Sequence, residues 1–211
     1  MVKNYKLLSG FLCYLRQRLV ADRTVEFSLN DLSEEAKAET VCFVKEKLSP
    51  YGLLSNTVVN GAGYILGSIP KTKRVTAFLT GGWLEIYARV IAEEEISRLA
   101  RELGVGYQIL SNVTVSKGDI VHELDVVCQL DKGRLCVIEA KSGNRFRNYE
   151  KLLAVGQDLA TIPNYTLLLD ANKTAEAAES IRYLYEIFCC TLNSSMLRSQ
   201  LREMLRKSVE N

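Results

Sequence analysis

A single histidine, His122, stands in the whole 211-residue chain. That scarcity argues against nuclease chemistries that depend on an imidazole base, and against zinc sites rich in histidine. The six cysteines, Cys13, Cys42, Cys128, Cys136, Cys189 and Cys190, contain no Cys-x-x-Cys pair. With apolar neighbours around Cys128 and Cys136, they read as free thiols acting as small hydrophobes, and a reducing cytoplasm is the compartment expected. No apolar run is long enough to cross a membrane, and residues 1–5 are too polar to open a secretory leader. An excess of either charge is lacking too. The net charge of +2 neither predicts nor excludes a nucleic-acid partner, because local patches set the field. At 47% hydrophobic content the chain can bury one substantial core with a small appendage.

What is present concentrates in one hairpin. Period-2 geometry over 121–128 puts Glu123, Asp125 and Val127 on one face of a strand, with His122, Leu124, Val126 and Cys128 on the other. Over 135–141 the same rule groups Glu139 with Lys141 and sends Cys136, Ile138 and Ala140 away. Asp131-Lys132-Gly133 supplies a tight turn. If that turn centres on Lys132, Asp125 faces Glu139 and Glu123 faces Lys141, with Cβ atoms roughly 4.5–5.5 Å apart. Two facing carboxylates repel unless they share a proton or a cation sits between them. A hard divalent cation is the simpler answer, since Mg²⁺ takes one or two carboxylates and completes its shell with water and phosphate oxygens. The plainer alternative is a solvated hairpin carrying a cross-strand ion-pair patch.

The surrounding pattern predicts a helix over 82–103 stopped by Gly104, a strand over 107–115, the two hairpin strands, a helix over 145–161, a strand over 165–169 and a helix over 174–190. The fold class expected is mixed α/β, with element order αβββαβα.

That order, with Asp125 followed by Glu139-x-Lys141 on the third strand, resembles the PD-(D/E)XK nuclease superfamily over about residues 80–192. More narrowly, Gly81-Gly82-Trp83-Leu84-Glu85, Glu123-Leu124-Asp125-Val126-Val127 and Ile138-Glu139-Ala140-Lys141 look like the nuclease domain of CRISPR ancillary effectors that carry a cyclic-oligoadenylate sensor. The resemblance implies a restriction-endonuclease-like core hydrolysing phosphodiester bonds in an antiviral setting. It implies that Asp125, Glu139 and the Ala140 carbonyl hold Mg²⁺ or Mn²⁺, and that Glu85 serves a second metal or its water shell. The ion would acidify its bound water and neutralise transition-state charge. Lys141 would orient or deprotonate the attacking water, the second role needing a depressed pKa. Glu123 stands open as a substitute. Lys151 and Gln157, on the helix after the motif, are candidate contacts to the scissile phosphate or simply an exposed polar face. DNA ranks ahead of RNA as substrate, and a homodimer is expected because cutting both strands of a duplex commonly takes two sites.

About eighty residues precede the matched region, which suggests a free-standing or partner-regulated nuclease. Residues 1–75 read as a small module and 76–211 as the nuclease domain. The module has a helix over 5–20, a strand over 25–28, a helix capped by Asn30 or Ser33 and ended by Pro50, and extended runs over 53–59 and 64–69 around Asn60-Gly61. In outline this resembles a winged helix; a structural or dimerising cap is the alternative. Lys71, Lys73 and Arg74 form a basic link that is either solvated or phosphate-binding. At the C-terminus Arg198, Arg202 and Arg206 make a stripe, read as solvated first and phosphate-binding second, opposite an apolar face of Met196, Leu197, Leu201, Met204 and Leu205. Two non-enzymatic readings remain beside the nuclease: an inactive nucleic-acid-binding fold and an interaction scaffold.

Overall fold

The computed structural model describes residues 5–143, 149, 152, 153, 155 and 165–210. Among these, eight strands form two sheets and six α-helices are bounded. The chain divides into two compact units, Met1–Gly82 and Trp83–Asn211.

The first unit begins with α1, Tyr5–Val20, whose buried Leu8, Phe11, Leu12, Leu15 and Leu19 recur at helical spacing. Strand β1, Thr24–Ser28, follows. Ser33 then accepts a hydrogen bond from Ala36 N and caps α2, Glu34–Phe43, which runs on as a π-helical turn through Val44–Leu48. Strands β2, Ser55–Val59, and β3, Tyr64–Ser68, form the hairpin, in antiparallel order β1-β3-β2. Asn60 Oδ1 accepts from Ala62 N at 3.1 Å and Tyr64 N at 2.9 Å, an Asx-type turn. Thr72 caps α3, Lys73–Ala77, which continues as a π-helical turn through Phe78–Gly82. Val75 and Leu79 lie buried with Leu8, Phe11 and Ile65 in the core of this unit, which runs to Gly82.

The second unit opens with α4, Trp83–Leu103. Gly104 adopts φ +66° and Val105 N returns to Ala100 O at 3.0 Å, the left-handed stop the sequence implied. Three antiparallel strands follow: β4, Tyr107–Lys117; β5, Ile120–Leu130; and β6, Cys136–Lys141. Strand β7, Thr166–Asp170, joins β6 in parallel, and β8, Phe188–Cys190, joins β7 in parallel, giving sheet order β4-β5-β6-β7-β8. Helices α5, Ala175–Tyr185, and α6, Ser194–Glu210, complete the unit. This is the mixed α/β class expected. Of the helix expected over 145–161, Tyr149, Leu152, Leu153 and Val155 are described, and all four are helical.

One expected helix is shorter than its pattern. Residues 174–190 read as a single helix, yet α5 ends at Tyr185, Glu186 turns at φ +53° and Phe188–Cys190 forms a fully buried strand. A short apolar run buried on both faces carries no period, so helix and strand cannot be told apart from it.

The arginine stripe is also corrected. Arg198 pairs with Glu94 and, at 3.0 Å, with Glu95; Arg202 meets Glu95 at 2.8 Å, and Arg206 meets Glu102 at 3.3 Å. These side chains remain partly in water but tie α6 to α4 through ion pairs. Leu197, Leu201, Met204 and Leu205 on α6 are fully buried, so that apolar face is packing within the unit.

Candidate metal and catalytic site

The turn forms as the hairpin pattern requires. Lys132 takes φ +63°, and Gly133 N donates to Leu130 O at 2.8 Å. The register that results pairs Cys128 with Cys136, Val127 with Val137 and Val126 with Ile138. One step further, at the level of Asp125 and Glu139, the backbone ladder stops. In its place the Asp125 carboxylate Oδ2 accepts from Ala140 N at 2.8 Å. On the other side of β5 the ladder with β4 skips the same level, running from Ser111–Val126 to Val113–Leu124, and the skipped Asn112 adopts φ +53°. Asn is among the few side chains that tolerate this conformation. The interruption also disturbs the face pattern. Leu124, expected to point away from Val127, joins Val127, Val137 and Val155 in one apolar cluster.

Lys141 Nζ donates to Glu139 Oε2 at 2.7 Å and lies 3.5 Å from Asp125 Oδ2. Two carboxylates therefore already converge on one cationic nitrogen. Burial and then the Asp125 charge raise the Glu139 carboxyl pKa, outweighing the lysine. Glu85, half-buried in the first turn of α4, is raised by burial and then by Asp125, with Lys141 opposing. Its charge is thus felt at the same site. For Lys141, burial acts to lower the pKa, but Glu139 and Asp125 outweigh it and hold the ammonium above its ordinary value. In this arrangement the ammonium donates to both carboxylates.

The donor set suits a hard cation. It offers oxygen only, from two carboxylates aimed at one point, and Glu139 is 5% exposed. Residues of a strand project their N–H and C=O to the same edge, so the Ala140 carbonyl opens toward Asp125, as its N–H does. Among the described residues no three His, Cys, Asp or Glu side chains gather closely enough to cage a metal.

Other sequence candidates lie elsewhere. Glu123 is exposed on β5, opposite Thr114. His122 is buried. Lys71, Lys73 and Arg74 are exposed in the first unit. Lys151 and Gln157 fall outside the described residues.

The sequence reading missed a buried polar group beside the motif. Parallel pairing sets Lys141 next to Asp170, which is 1% exposed and whose carboxyl is raised by burial. Asp170 Oδ1 accepts from Asn172 N at 2.9 Å, Asn172 Nδ2 donates to Ser142 O at 3.0 Å, and Ala171 N donates to Lys141 O at 2.9 Å. This braces the carboxyl end of β6, the end at which open α/β sheets place their sites. The available signal was an acid closing the apolar run Leu167-Leu168-Leu169; the expected strand ended one residue short of it.

Comparison with known proteins gives the fold a setting. No family model and no curated protein matches the chain. Among solved structures, Can2 from Sulfobacillus thermosulfidooxidans, determined in complex with cyclic tetra-adenylate, is similar at 19% identity and TM-score 0.60, covering 100% of this chain and 54% of Can2. Protein VC1899 from Vibrio cholerae is similar at 15% identity and TM-score 0.65, covering 100% of this chain and 55% of VC1899. The chain thus spans just over half the length of each, and what it shares with them is the fold.

Proposed function

We propose that the chain is a metal-dependent nuclease. The observation that carries this is the convergence of Asp125 and Glu139 on one cation position at the end of a hairpin, with Lys141 beside them. Asp125, Glu139 and the Ala140 carbonyl would hold Mg²⁺ or Mn²⁺, and the ion when bound supplies an acidified water and a counter-charge for the phosphoryl oxygens. Asp125 is oriented for this by the Ala140 N–H. Lys141, kept protonated, holds a phosphate oxygen or the attacking water in line by donating hydrogen bonds. Glu85, within electrostatic reach of Asp125, adds a carboxylate for a second ion or its water shell.

DNA is the preferred substrate and a homodimer the working assembly, since two sites serve two strands. The resemblance to CRISPR ancillary nucleases, together with the fold shared with Can2, supports a role in antiviral defence. Among the described residues no helix is long and apolar enough to cross a membrane.

The test is degradation of labelled single- and double-stranded DNA and RNA with Mg²⁺ or Mn²⁺. Wild type should cut, and Glu139→Ala and Lys141→Ala should each lose about 10²-fold or more, the scale of removing one preorganised charge-stabilising group. Adding cyclic tetra-adenylate, the ligand of the Can2 structure, asks whether this chain responds to it; a free-standing nuclease does not. A second reading rests on Lys141 itself, which already partly neutralises the pair and would let the fold persist as an inactive nucleic-acid-binding module. Absence of Mn²⁺ binding by wild type would favour it.

A further inference from the structure

Charge in the first unit is unevenly placed. The helical stretch 34–48 sets Glu34, Glu35, Glu39 and Glu46 against Lys37, Lys45 and Lys47. The hairpin over 55–68 carries no charged side chain at all. A winged helix that docked on nucleic acid through its helix and wing would need cations there, and neither element offers an excess.

Three cations instead line a groove of ≈ 430 Å³, formed by Arg23, Lys71, Lys73, Thr72 and Thr76, among others, with no acid in its wall. Arg23 adopts φ +63° and donates through Nη1 to Pro70 O at 2.9 Å and through Nη2 to Thr76 Oγ1 at 3.3 Å. Both acceptors are neutral, so the guanidinium is fixed in place without losing its charge. The nearest acid in sequence, Asp22, is taken by Arg18 and by Thr24 N. Among the described residues no carboxylate forms an ion pair with Arg23, Lys71 or Lys73. Arg74, exposed beside them, adds a further positive charge. Three cations in one concave surface, one rigid and two on flexible stems, produce a focused positive potential suited to successive phosphates of a polynucleotide.

We propose that this groove binds the phosphodiester backbone of a nucleic-acid strand, and that the first unit engages nucleic acid here and not through its helix or hairpin. The inference rests on the nuclease reading for the nature of the ligand, but it is read out by binding alone.

Fluorescence anisotropy of labelled single- and double-stranded DNA and RNA, titrated with full-length Glu139→Ala protein over a salt series, tests it. Lys71→Gln/Lys73→Gln should weaken binding and flatten the slope of log K against log salt by about 1.4–1.8, two phosphate contacts at ~0.7–0.9 each. Adding Arg23→Gln should remove roughly another 0.7–0.9, whereas Arg23→Lys, which keeps the charge but not the fork, should keep the slope. Lys45→Gln/Lys47→Gln on the helical stretch should leave both affinity and slope unchanged. An unchanged slope in Lys71→Gln/Lys73→Gln, an equal loss in Lys45→Gln/Lys47→Gln, or no binding of any probe overturns the proposal. Metal-dependent cleavage by wild type together with an unaltered slope in this series would remove the groove and keep the nuclease; slope loss in this series with no cleavage by wild type would do the reverse.

Discussion

Two buried glutamates of the second unit stand in opposite electrostatic surroundings. Glu95, 3% exposed on α4, is met by Arg98 at 2.7 Å, Arg198 at 3.0 Å and Arg202 at 2.8 Å. Glu139, 5% exposed on β6, has one lysine and, against it, a second carboxylate. The first has more positive charge than it needs; the second has less. A burial that serves folding surrounds a charge with donors until it is satisfied. A burial that leaves a deficit of positive charge leaves room for a further cation, and that is the difference between the two glutamates.

The comparison breaks most visibly in activity. Glu139→Gln should lower metal-dependent cleavage by about 10²–10³-fold while stability stays within about 1 kcal/mol, since it removes like-charge repulsion with Asp125 along with the ion pair. Cleavage rates and denaturant melts on the same preparations check both halves, and a large stability loss would place Glu139 in the structural class with Glu95. Glu95→Ala should do the reverse, costing about 3 kcal/mol because one acid serves three arginines, the low end applying because those arginines stay partly in water. Cleavage below the melting range should be unchanged.

Asp170 sharpens the contrast through pH. Its carboxyl is raised from 3.8, chiefly by burial, so the folded state holds this proton more tightly than the unfolded state does. The protonated group therefore favours folding below about the ordinary value, and that contribution is lost as pH rises through the folded pKa. Asp170→Asn, whose amide oxygen still accepts from Asn172 N, should flatten the fall in stability over that window; identical melts for variant and wild type across acid pH would refute it. The smallest effect should come from Arg206→Ala. Both partners of its ion pair with Glu102 are largely exposed, so a loss of about 0–1 kcal/mol is expected in urea unfolding.

Legibility followed the reach of local physics. The turn at Lys132 was enough to fix the register from Cys128–Cys136 to Val126–Ile138, because register between adjacent strands is fixed by the turn that joins them, but strict alternation failed beyond it, where Leu124 joins Val127. Glu85 joined Asp125 and Glu139 only through the family resemblance, as nothing in α4 says which way its first turn faces. The arginine stripe was read as solvated because its acids lie about a hundred residues earlier, on a helix whose docking no local pattern specifies. Asp170 escaped because a partner strand from a distant segment sets it beside Lys141. The short strand Phe188–Cys190 was lost inside a helical pattern for want of any period. Asn112 is the remaining case: its left-handed turn within a strand breaks no sequence rule, yet it marks the level at which Asp125 leaves the ladder.

Strand β6 lies in the middle of its sheet, paired to β5 on one side and β7 on the other. Glu139 and Lys141 follow directly on Val137 and Ile138, whose backbone is laddered on both sides and cannot fray from an edge. The amides of Val137 and Ile138 should be among the slowest in the protein to take up deuterium, opening only when the whole unit opens. The geometry of the acids is then as durable as the fold itself, so a substitution that merely loosens the unit should shorten the protein's lifetime long before it blunts the site.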